Sequence, residues 1–490
     1  MIKLFIDTIS DVLSNILGDI SSSFDKDHSV NAEFGNPNKL ISKRNKGWVI
    51  DGVRALDMET SRRNLCVVAG SGKGKSQNHV FTSIMNCISS SMVINDNSSE
   101  LSATLPYLES QGVSTKVMNL VRKENVYINP LDGCNGNVAA MRKIAKTLMG
   151  NAAKENDFFS ISGEDCITIF IQHVLESEPR INANLGNVYR LILEFQGNPK
   201  VIESYMADKA SDAVWTKFKA LAGNSEKTLK SITSTAISAL SWLGDNPVLA
   251  DLTSVSNISF EDFRKSPTCL FIQSPASDSK FYAPMVSLVF QSFYRYAFSR
   301  LPEENDLDIM MILDEFSSLI DGLSDYSQII SNSRKFRIPQ AIFLQDESLL
   351  SPYKELKDNI LANCYVKCYY GGQDKKAFEL EKLLGSYSYV DGSSGQTKSR
   401  PLMYASEIRE MDDEILVITN GQKPIKVRTK PAYKQSKLRK RLAMELDTEV
   451  QEEPMDYNIQ YIDLSPYKDE IKDKNVEPNN SVTDGQGTLQ

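Results

Sequence analysis

The sequence has few residues of the kinds that build metal sites, and it has no long apolar run. Its three histidines are scattered, and no two of its seven cysteines form a CxxC pair, so the clustered ligands of a zinc site are missing. An odd number of cysteines within apolar segments predicts buried, reduced thiols in a cytosolic protein. No segment approaches the roughly 20 apolar residues that cross a bilayer, so we expect no membrane-spanning helix.

Positive charge is also in short supply. The 490 residues carry a formal net charge of −8, so no broad basic face can attract nucleic acid, and any such contact needs a local patch or a ring of subunits. The composition, 41% hydrophobic and 24% charged, is that of a globular protein and excludes a wholly disordered or fibrous chain. The length predicts two or three domains.

The middle of the chain alternates between two kinds of pattern. Short β-branched runs separated by helical segments over residues 46–134, and again over 263–433, predict parallel βαβ units. Helical periodicity dominates residues 135–262, where strand-like runs are nearly absent. We therefore predict an α/β domain in two parts, interrupted by an all-helical insertion.

The two ends of the chain differ from this middle part. Residues 1–45 begin with apolar positions at helical spacing, interrupted by lysine and aspartate, which predicts an amphipathic helix docked on protein and followed by a linker. Residues 434–490 begin with a basic run and continue as an acidic segment with the composition of disorder. Within it, residues 455–467 interleave aromatic and aliphatic side chains, so we predict that they fold onto a partner protein, the alternative being a merely solubilising tail.

A glycine-rich turn, AGSGKGKS at 69–76, lies between a predicted strand and a predicted helix. Its glycines would let backbone N–H groups converge on phosphates at the positive end of the helix dipole. Lys75 would reach the β- and γ-phosphates of a nucleotide, and the Ser76 hydroxyl would bind Mg²⁺. The predicted nucleotide-binding residues are Gly70, Ser71, Gly72, Lys73, Gly74, Lys75, Ser76 and Gln77.

The other half of such a site is an acidic residue at the end of a neighbouring strand. The apolar run IMMIL ends in Asp314 and Glu315, where Asp314 would hold Mg²⁺ and Glu315 would polarise the attacking water, a role that contributes roughly 10²–10⁴-fold. The chain between Lys75 and Asp314 is far longer than two or three βα units of about 30 residues each. The surplus matches the helical block, which supports an insertion within one domain.

Two further residues are candidates for catalysis. Gln345 ends the strand that follows the Asp314 strand, where a polar side chain could sense the γ-phosphate and the water, the alternative being a solvent-facing glutamine. Arg334 precedes the same strand and could enter a neighbouring subunit's site as an arginine finger, worth roughly 10³–10⁵ in rate in the best cases. Its alternatives are a solvated arginine, or Lys335 or Arg337 in the same role.

The order of these motifs resembles that of the type IV secretion coupling proteins, the TraG/TraD class of conjugation ATPases. The resemblance runs from about residue 32 to residue 433 and keeps the order of many motifs. The matching segments are 70–78, 94–101, 128–132, 225–240, 312–319, 331–346, 363–374 and 400–411.

This resemblance implies a RecA-like P-loop domain with an inserted helical domain, ATP and Mg²⁺ as ligands, and assembly into a homo-hexamer. It implies delivery of single-stranded DNA with its relaxase, or of protein cargo, to the components of a secretion channel. Members usually carry an N-terminal transmembrane segment, which residues 1–20 do not resemble, so we expect a cytoplasmic protein held at the inner membrane through partners. The family's Asp-Pro-Lys-Gly-Glu motif reads DNSSE at 96–100, which leaves the role of that loop open.

Two rival functions remain from the sequence. One is an FtsK- or HerA-like DNA translocase that works outside secretion, although that reading gives no reason for the helical insertion. The other is a substrate adaptor whose bound nucleotide is never hydrolysed and only fixes its shape, against which Glu315 and Gln345 argue.

Overall fold

The computed structural model describes residues 31–124, 126–134, 136–150, 157–320, 322–445 and 457–469. The amphipathic helix predicted for residues 1–20 lies outside this part of the chain, as do residues 446–456 and 470–490 of the tail. In the described part, no helix is both long and apolar enough to cross a membrane.

Eleven strands form two sheets in the described residues. They are β1 (Leu65–Val68), β2 (Ser91–Asp96), β3 (Ser114–Asn119), β4 (Thr268–Gln273), β5 (Ile309–Leu313), β6 (Gln340–Leu344), β7 (Val366–Tyr370), β8 (Ser386–Val390), β9 (Thr397–Pro401), β10 (Glu414–Thr419) and β11 (Ile425–Arg428).

The larger sheet has the strand order β11-β10-β7-β1-β6-β5-β2-β4-β3. The seven strands from β7 to β3 are parallel, whereas β10 runs antiparallel to β7 and β11 antiparallel to β10. The strand β1, which leads into the glycine-rich turn, is therefore separated from β5 by β6 alone. The carboxyl ends of these three strands meet at one edge of the sheet, as the sequence motifs require.

Both faces of the central strands of this sheet are buried, and successive residues of such a strand belong to different cores. In β1, Cys66 and Val68 lie in one buried cluster, whereas Leu65 and Val67 lie in the other. This explains why the central parallel strands β1, β5 and β6 are nearly continuous apolar runs, whereas the edge strand β3 is more polar and partly exposed. All seven cysteines are buried and unpaired.

The α-helices of the described residues include a long unbroken series between β3 and β4. In chain order they are α1 (Met58–Ser61), α2 (Phe81–Asn86), α3 (Leu105–Ser110), α4 (Val138–Met149), α5 (Phe158–Ser177), α6 (Leu185–Gly197), α7 (Pro199–Lys209), α8 (Asp212–Ala222), α9 (Glu226–Asp245), α10 (Pro247–Leu252), α11 (Asp262–Lys265), α12 (Ser279–Ala297), α13 (Tyr326–Ser333), α14 (Leu356–Ala362), α15 (Asp374–Leu384), α16 (Ala405–Arg409) and α17 (Ser436–Leu442).

The series α4 to α10 forms a helical region whose starts are fixed by polar caps. The side chains of Asn137, Asp157 and Asn184 each accept a backbone N–H from the first turn of α4, α5 and α6, an arrangement worth about 1 kcal/mol per helix. The region packs on one face of the sheet and shares a continuous buried core with it. Lys143 of α4 also forms an ion pair of 2.5 Å with Asp325, before α13.

The small sheet of β8 and β9 was not predicted. The sequence of β8, SYSYV, alternates serine with tyrosine, but that of β9, TKSRP, has no such alternation, so only one of the two strands carries a sequence signal.

The tail also differs from the sequence-based expectation. Residues 457–469 lie against the helical region of their own chain, with Ile462 and Leu464 buried in its core. The prediction that residues 455–467 dock onto a partner is therefore corrected for the described part of that segment, which contacts its own chain. The basic run that precedes it lies largely in α17.

Candidate active site

The glycine-rich turn occupies the carboxyl end of β1, at the centre of the sheet. Gly72 and Gly74 have φ values of 75° and 86°, a conformation that residues with a side chain rarely adopt. A Cβ atom placed on Gly70 or Gly72 would meet nothing within 4 Å, so the space above the turn is open. The turn therefore has the shape and the free face that a bound phosphate chain requires.

The helix after the turn begins as a wide π-helical segment, Ser76–Val80, which continues into α2. Asn78 donates to the Tyr370 hydroxyl at 3.1 Å, that hydroxyl lies 2.9 Å from His79 Nε2, and His79 Nδ1 lies 3.1 Å from the Val49 carbonyl. Burial lowers the pKa of His79 to about 4, so the imidazole is neutral at pH 7. This chain of hydrogen bonds fixes the first turn of the helix to β7, and it was missed in the sequence.

The structure brings the predicted lysine and the predicted acidic pair together. Lys75 Nζ lies 3.1 Å from Asp314 Oδ1 and 3.9 Å from Glu315 Oε1, although the residues belong to distant parts of the sequence. All three side chains stand at the carboxyl edge of the sheet. Their individual catalytic roles remain predictions.

Glu315 is held in an unusual backbone conformation. Its φ of 53° and ψ of 45° are left-handed, which costs about 1–3 kcal/mol for a residue with a side chain. The turn is maintained because the Glu315 carbonyl accepts both the backbone N–H and the hydroxyl of Ser318, each at 2.9 Å. The carboxylate of Glu315 remains partly exposed above the turn.

Residues at the start of the DNSSE loop belong to a polar cluster that lies behind Asp314. Asn95 donates to the Asp314 carbonyl at 2.6 Å. The neighbouring Asp96 is buried and accepts a hydrogen bond of 3.2 Å from Gln273, whose own oxygen accepts one of 3.2 Å from Asn119. Burial, with a smaller contribution from the charge of Asp314, raises the pKa of Asp96 to about 6.

The phosphate turn lies between Gln345, which follows β6, and the glycines Gly371 and Gly372, which follow β7. Gln345 follows β6, which pairs with both β1 and β5, and its side chain is exposed at the same edge. On the other side of β1, β7 is followed by Gly371 and Gly372, and a Cβ on Gly372 would lie 3.6 Å from Lys73 Cε. Of these, only Gln345 was assigned a role from the sequence, because Gly371 and Gly372 are not followed by the lysine and serine of a phosphate turn.

Arg334 lies at the opposite edge of the sheet in its own chain. It precedes β6 and donates to Glu59 at 2.8 Å, in the helix that precedes β1. Arg337 is at the same edge, where it donates to the Glu303 carbonyl at 2.9 Å and lies 3.6 Å from Asp308. Neither arginine is therefore near the phosphate turn of its own chain, and the predicted entry into a neighbour's site stays a prediction.

Comparison with known proteins places the chain in a family. The family model described as Type IV secretory system Conjugative DNA transfer matches residues 18–453. The chain belongs to this family. This confirms the resemblance to coupling proteins that the motif order indicated.

The chain is also similar to proteins named VirD4. Protein VirD4 of Rhizobium rhizogenes is 25% identical over 317 residues, which is 61% of this chain and 47% of that protein. Protein VirD4 of Agrobacterium fabrum is 24% identical over 317 residues, with the same coverage. The chain therefore spans about half the length of the curated relatives it matches.

Among solved structures, the chain is similar to the plasmid coupling protein TrwB. The complex of TrwB with ADP and Mg²⁺ has a TM-score of 0.62 and 15% identity, covering 82% of this chain and 94% of TrwB. A TrwB complex with a non-hydrolysable ATP analogue has a TM-score of 0.58 at the same identity, covering 82% and 93%. The likeness confirms the predicted fold class, an α/β RecA-like P-loop fold with a helical domain.

Proposed function

We propose that this chain is an ATPase that couples DNA, or DNA carrying a bound protein, to a type IV secretion channel. The observation that carries the proposal is the meeting of Lys75 with Asp314 and Glu315 at the open phosphate turn. Membership of the conjugative DNA transfer family supports the transport role, and TrwB, which shares the fold, binds ADP with Mg²⁺.

The donors present at the site fit a magnesium nucleotide. Gly70 to Ser76 would cradle the phosphates with backbone N–H groups, and Lys75, which has three N–H donors, can contact phosphate oxygens while it remains beside Asp314. The Ser76 hydroxyl and the Asp314 carboxylate are the hard oxygen ligands that Mg²⁺ prefers, and this ion commonly keeps several waters with only one or two protein ligands. Bound Mg²⁺ supplies neutralisation of the phosphate charge.

Hydrolysis requires a base beside the γ-phosphate. Glu315 is partly exposed, lies next to Asp314 and is held by the turn that Ser318 closes, so its carboxylate can accept a proton from the attacking water. Gln345 is exposed at the end of the strand between β1 and β5, where its amide can orient the same water. The roles of base and orienting group are therefore assigned to these two side chains.

The quaternary state and the partners belong to the same proposal. The chain assembles as a homo-hexamer in which Arg334 of one subunit completes the site of its neighbour. The ring receives single-stranded DNA with its relaxase, or secreted protein cargo, and passes it to channel components at the cytoplasmic face of the inner membrane, which it reaches through partner proteins.

A steady-state ATPase assay with and without single-stranded DNA tests the proposal. The wild type should hydrolyse ATP in a Mg²⁺-dependent reaction that DNA stimulates. Lys75→Ala should abolish nucleotide binding because the charge that neutralises the phosphates is lost. Glu315→Gln should bind ATP normally and hydrolyse it roughly 10²–10⁴-fold more slowly.

One outcome tests the assignment of Glu315, and two others separate the rival functions. Wild-type turnover by Glu315→Gln would refute its assignment as the base. Tight ATP binding without any turnover by the wild type would favour the non-hydrolysing adaptor. DNA-stimulated turnover together with unchanged conjugation when Lys75→Ala replaces the chromosomal or plasmid copy would favour a translocase that works outside secretion.

A further inference from the structure

Residues 457–469, named the C-terminal strap, cross the outer surface of the helical region over α6, α7 and α10. Residues 457–464 are extended and alternate in burial, because Ile462 and Leu464 are buried whereas Gln460, Tyr461 and Asp463 are exposed. A short helix over residues 465–469 follows. The strap joins neither sheet of the described structure. Side chains of the helical region hold it, together with Lys123, which donates to Asn458 at 2.8 Å, and Tyr127, whose ring meets that of Tyr457 edge to face.

The groove under the strap recognises backbone atoms. Asn187 donates to the Gln460 carbonyl at 2.9 Å and accepts the Ile462 N–H at 2.9 Å. Asp251 accepts the Ile459 N–H at 2.7 Å. Asn187 is fully buried and Asp251 nearly so, which makes them fixed groups of the helical region. Contacts of this kind bind an extended backbone whatever its side chains are.

Side-chain contacts add a pattern to this recognition. A Cβ atom on Gly186 of α6 would lie 2.4 Å from Ile459 Cδ1, so the absence of a side chain in the helix makes room for an aliphatic one from the strap. The Arg190 guanidinium lies 4.9 Å from the centre of the Tyr461 ring. The Tyr467 hydroxyl donates to Asp208 at 2.5 Å.

We propose that this groove is a docking site for an extended polypeptide and that the strap is its tethered, displaceable occupant. A second protein with a segment of the same chemistry, two alternate aliphatic residues flanked by aromatic ones, competes for it. The strap stays in place because its covalent connection keeps its effective concentration high. Binding to this groove does not depend on ATP hydrolysis.

The test uses the full-length chain with the strap released by substitution. Ile462→Asp together with Leu464→Asp places two charges at the buried positions, which should free the groove and leave the helical region intact. A fluorescent peptide with the wild-type sequence of residues 457–469 should bind this variant, measured by fluorescence anisotropy. It should bind the wild type at least tenfold more weakly, because the tethered strap competes.

Two matched variants keep the test decisive. Gln460→Asp together with Ser465→Asp adds the same charge at exposed positions of the strap and should leave peptide binding as weak as in the wild type. Gly186→Ala in the released variant should weaken peptide binding, because the added methyl group meets the isoleucine, and should do so without lowering the melting temperature. Failure of the peptide to bind the released variant, or equal binding to the wild type, would overturn the proposal.

Discussion

Replacement of Asp96 by asparagine tests the electrostatics behind the candidate active site. The carboxyl group is buried, and burial raises its pKa from an ordinary 3.8 to about 6. A carboxyl group whose pKa is raised on folding favours the folded state only while it is protonated. Its contribution is therefore fully present below about pH 4 and is lost as the pH rises through 6.

The size of the effect follows from the shift. A rise of about two pKa units corresponds to about 3 kcal/mol of free energy of unfolding, lost between pH 4 and pH 7, and roughly half of it is already lost at pH 5. Asp96→Asn removes this loss because an amide does not ionise. The substitution also removes one hydrogen bond, because Asp96 accepts from both Gln273 and the Leu101 N–H. This loss lowers the free energy of unfolding of the variant by about 1 kcal/mol.

Urea denaturation at pH 5, 6, 7 and 8 measures the difference between the two proteins. The free energy of unfolding of Asp96→Asn should rise relative to the wild type by about 1–2 kcal/mol between pH 5 and pH 8. Glu100→Gln is the matched control, since it removes one negative charge at an exposed position of the same loop and should give a nearly constant difference. Parallel pH curves for Asp96→Asn and the wild type would refute the burial of a costly charge at this position.

Other substitutions test the proposed active site and its completion by a neighbouring subunit. Ser76→Ala should raise the Mg²⁺ concentration needed for half-maximal ATPase activity, which a magnesium titration measures. Gln345→Ala should lower kcat and leave the nucleotide Kd unchanged, so an equal loss of binding affinity would contradict its assignment to the attacking water. Subunits with Arg334→Ala and subunits with Lys75→Ala should regain ATPase activity when mixed, because some interfaces then combine an intact turn with an intact arginine. Full activity of a strictly monomeric preparation would exclude that arrangement.

The phosphate turn and its acidic partner could be predicted because each rests on local chemistry. Glycines between a strand and a helix, followed by Lys75 and Ser76, have one common use, and an apolar strand that ends in Asp314 and Glu315 supplies its complement. The parallel sheet then brings the two motifs together, because the carboxyl ends of neighbouring parallel strands meet at one edge. No long-range detail was needed for this part of the site.

The supporting groups could not be predicted, because each depends on strands that are distant in sequence. Asp96, Gln273 and Asn119 end β2, β4 and β3, and only the strand order places their side chains in one network. The hydrogen bond between His79 and Tyr370 joins residues that are 291 positions apart in the sequence. In the tail, the aromatic and aliphatic pattern correctly indicated a docking segment, but composition alone could not show that its site is on the same chain.

The position of Arg334 connects the fold with the proposed ring. Arg334 and Lys75 lie at opposite edges of the sheet, so a site that contains both must be built from two chains, with the amino edge of one facing the carboxyl edge of the next. Such a head-to-tail contact is heterologous and closes into a ring when the rotation allows it.

The structure also distinguishes Arg334, Lys335 and Arg337 as candidates for the residue that enters a neighbouring subunit's site. The Arg337 side chain is 23% exposed and already occupied by Asp308 and the Glu303 carbonyl, so its release would leave a buried carboxylate without one of its cations. The Arg334 side chain is 58% exposed and pairs with Glu59, which is 68% exposed. A surface pair of this kind is worth at most about 1 kcal/mol, so Arg334 can exchange Glu59 for a neighbour's phosphate at little cost. Lys335 lacks the planar, forked guanidinium that contacts two phosphate oxygens at once, and Arg334 is therefore the residue that we expect to complete the neighbouring site.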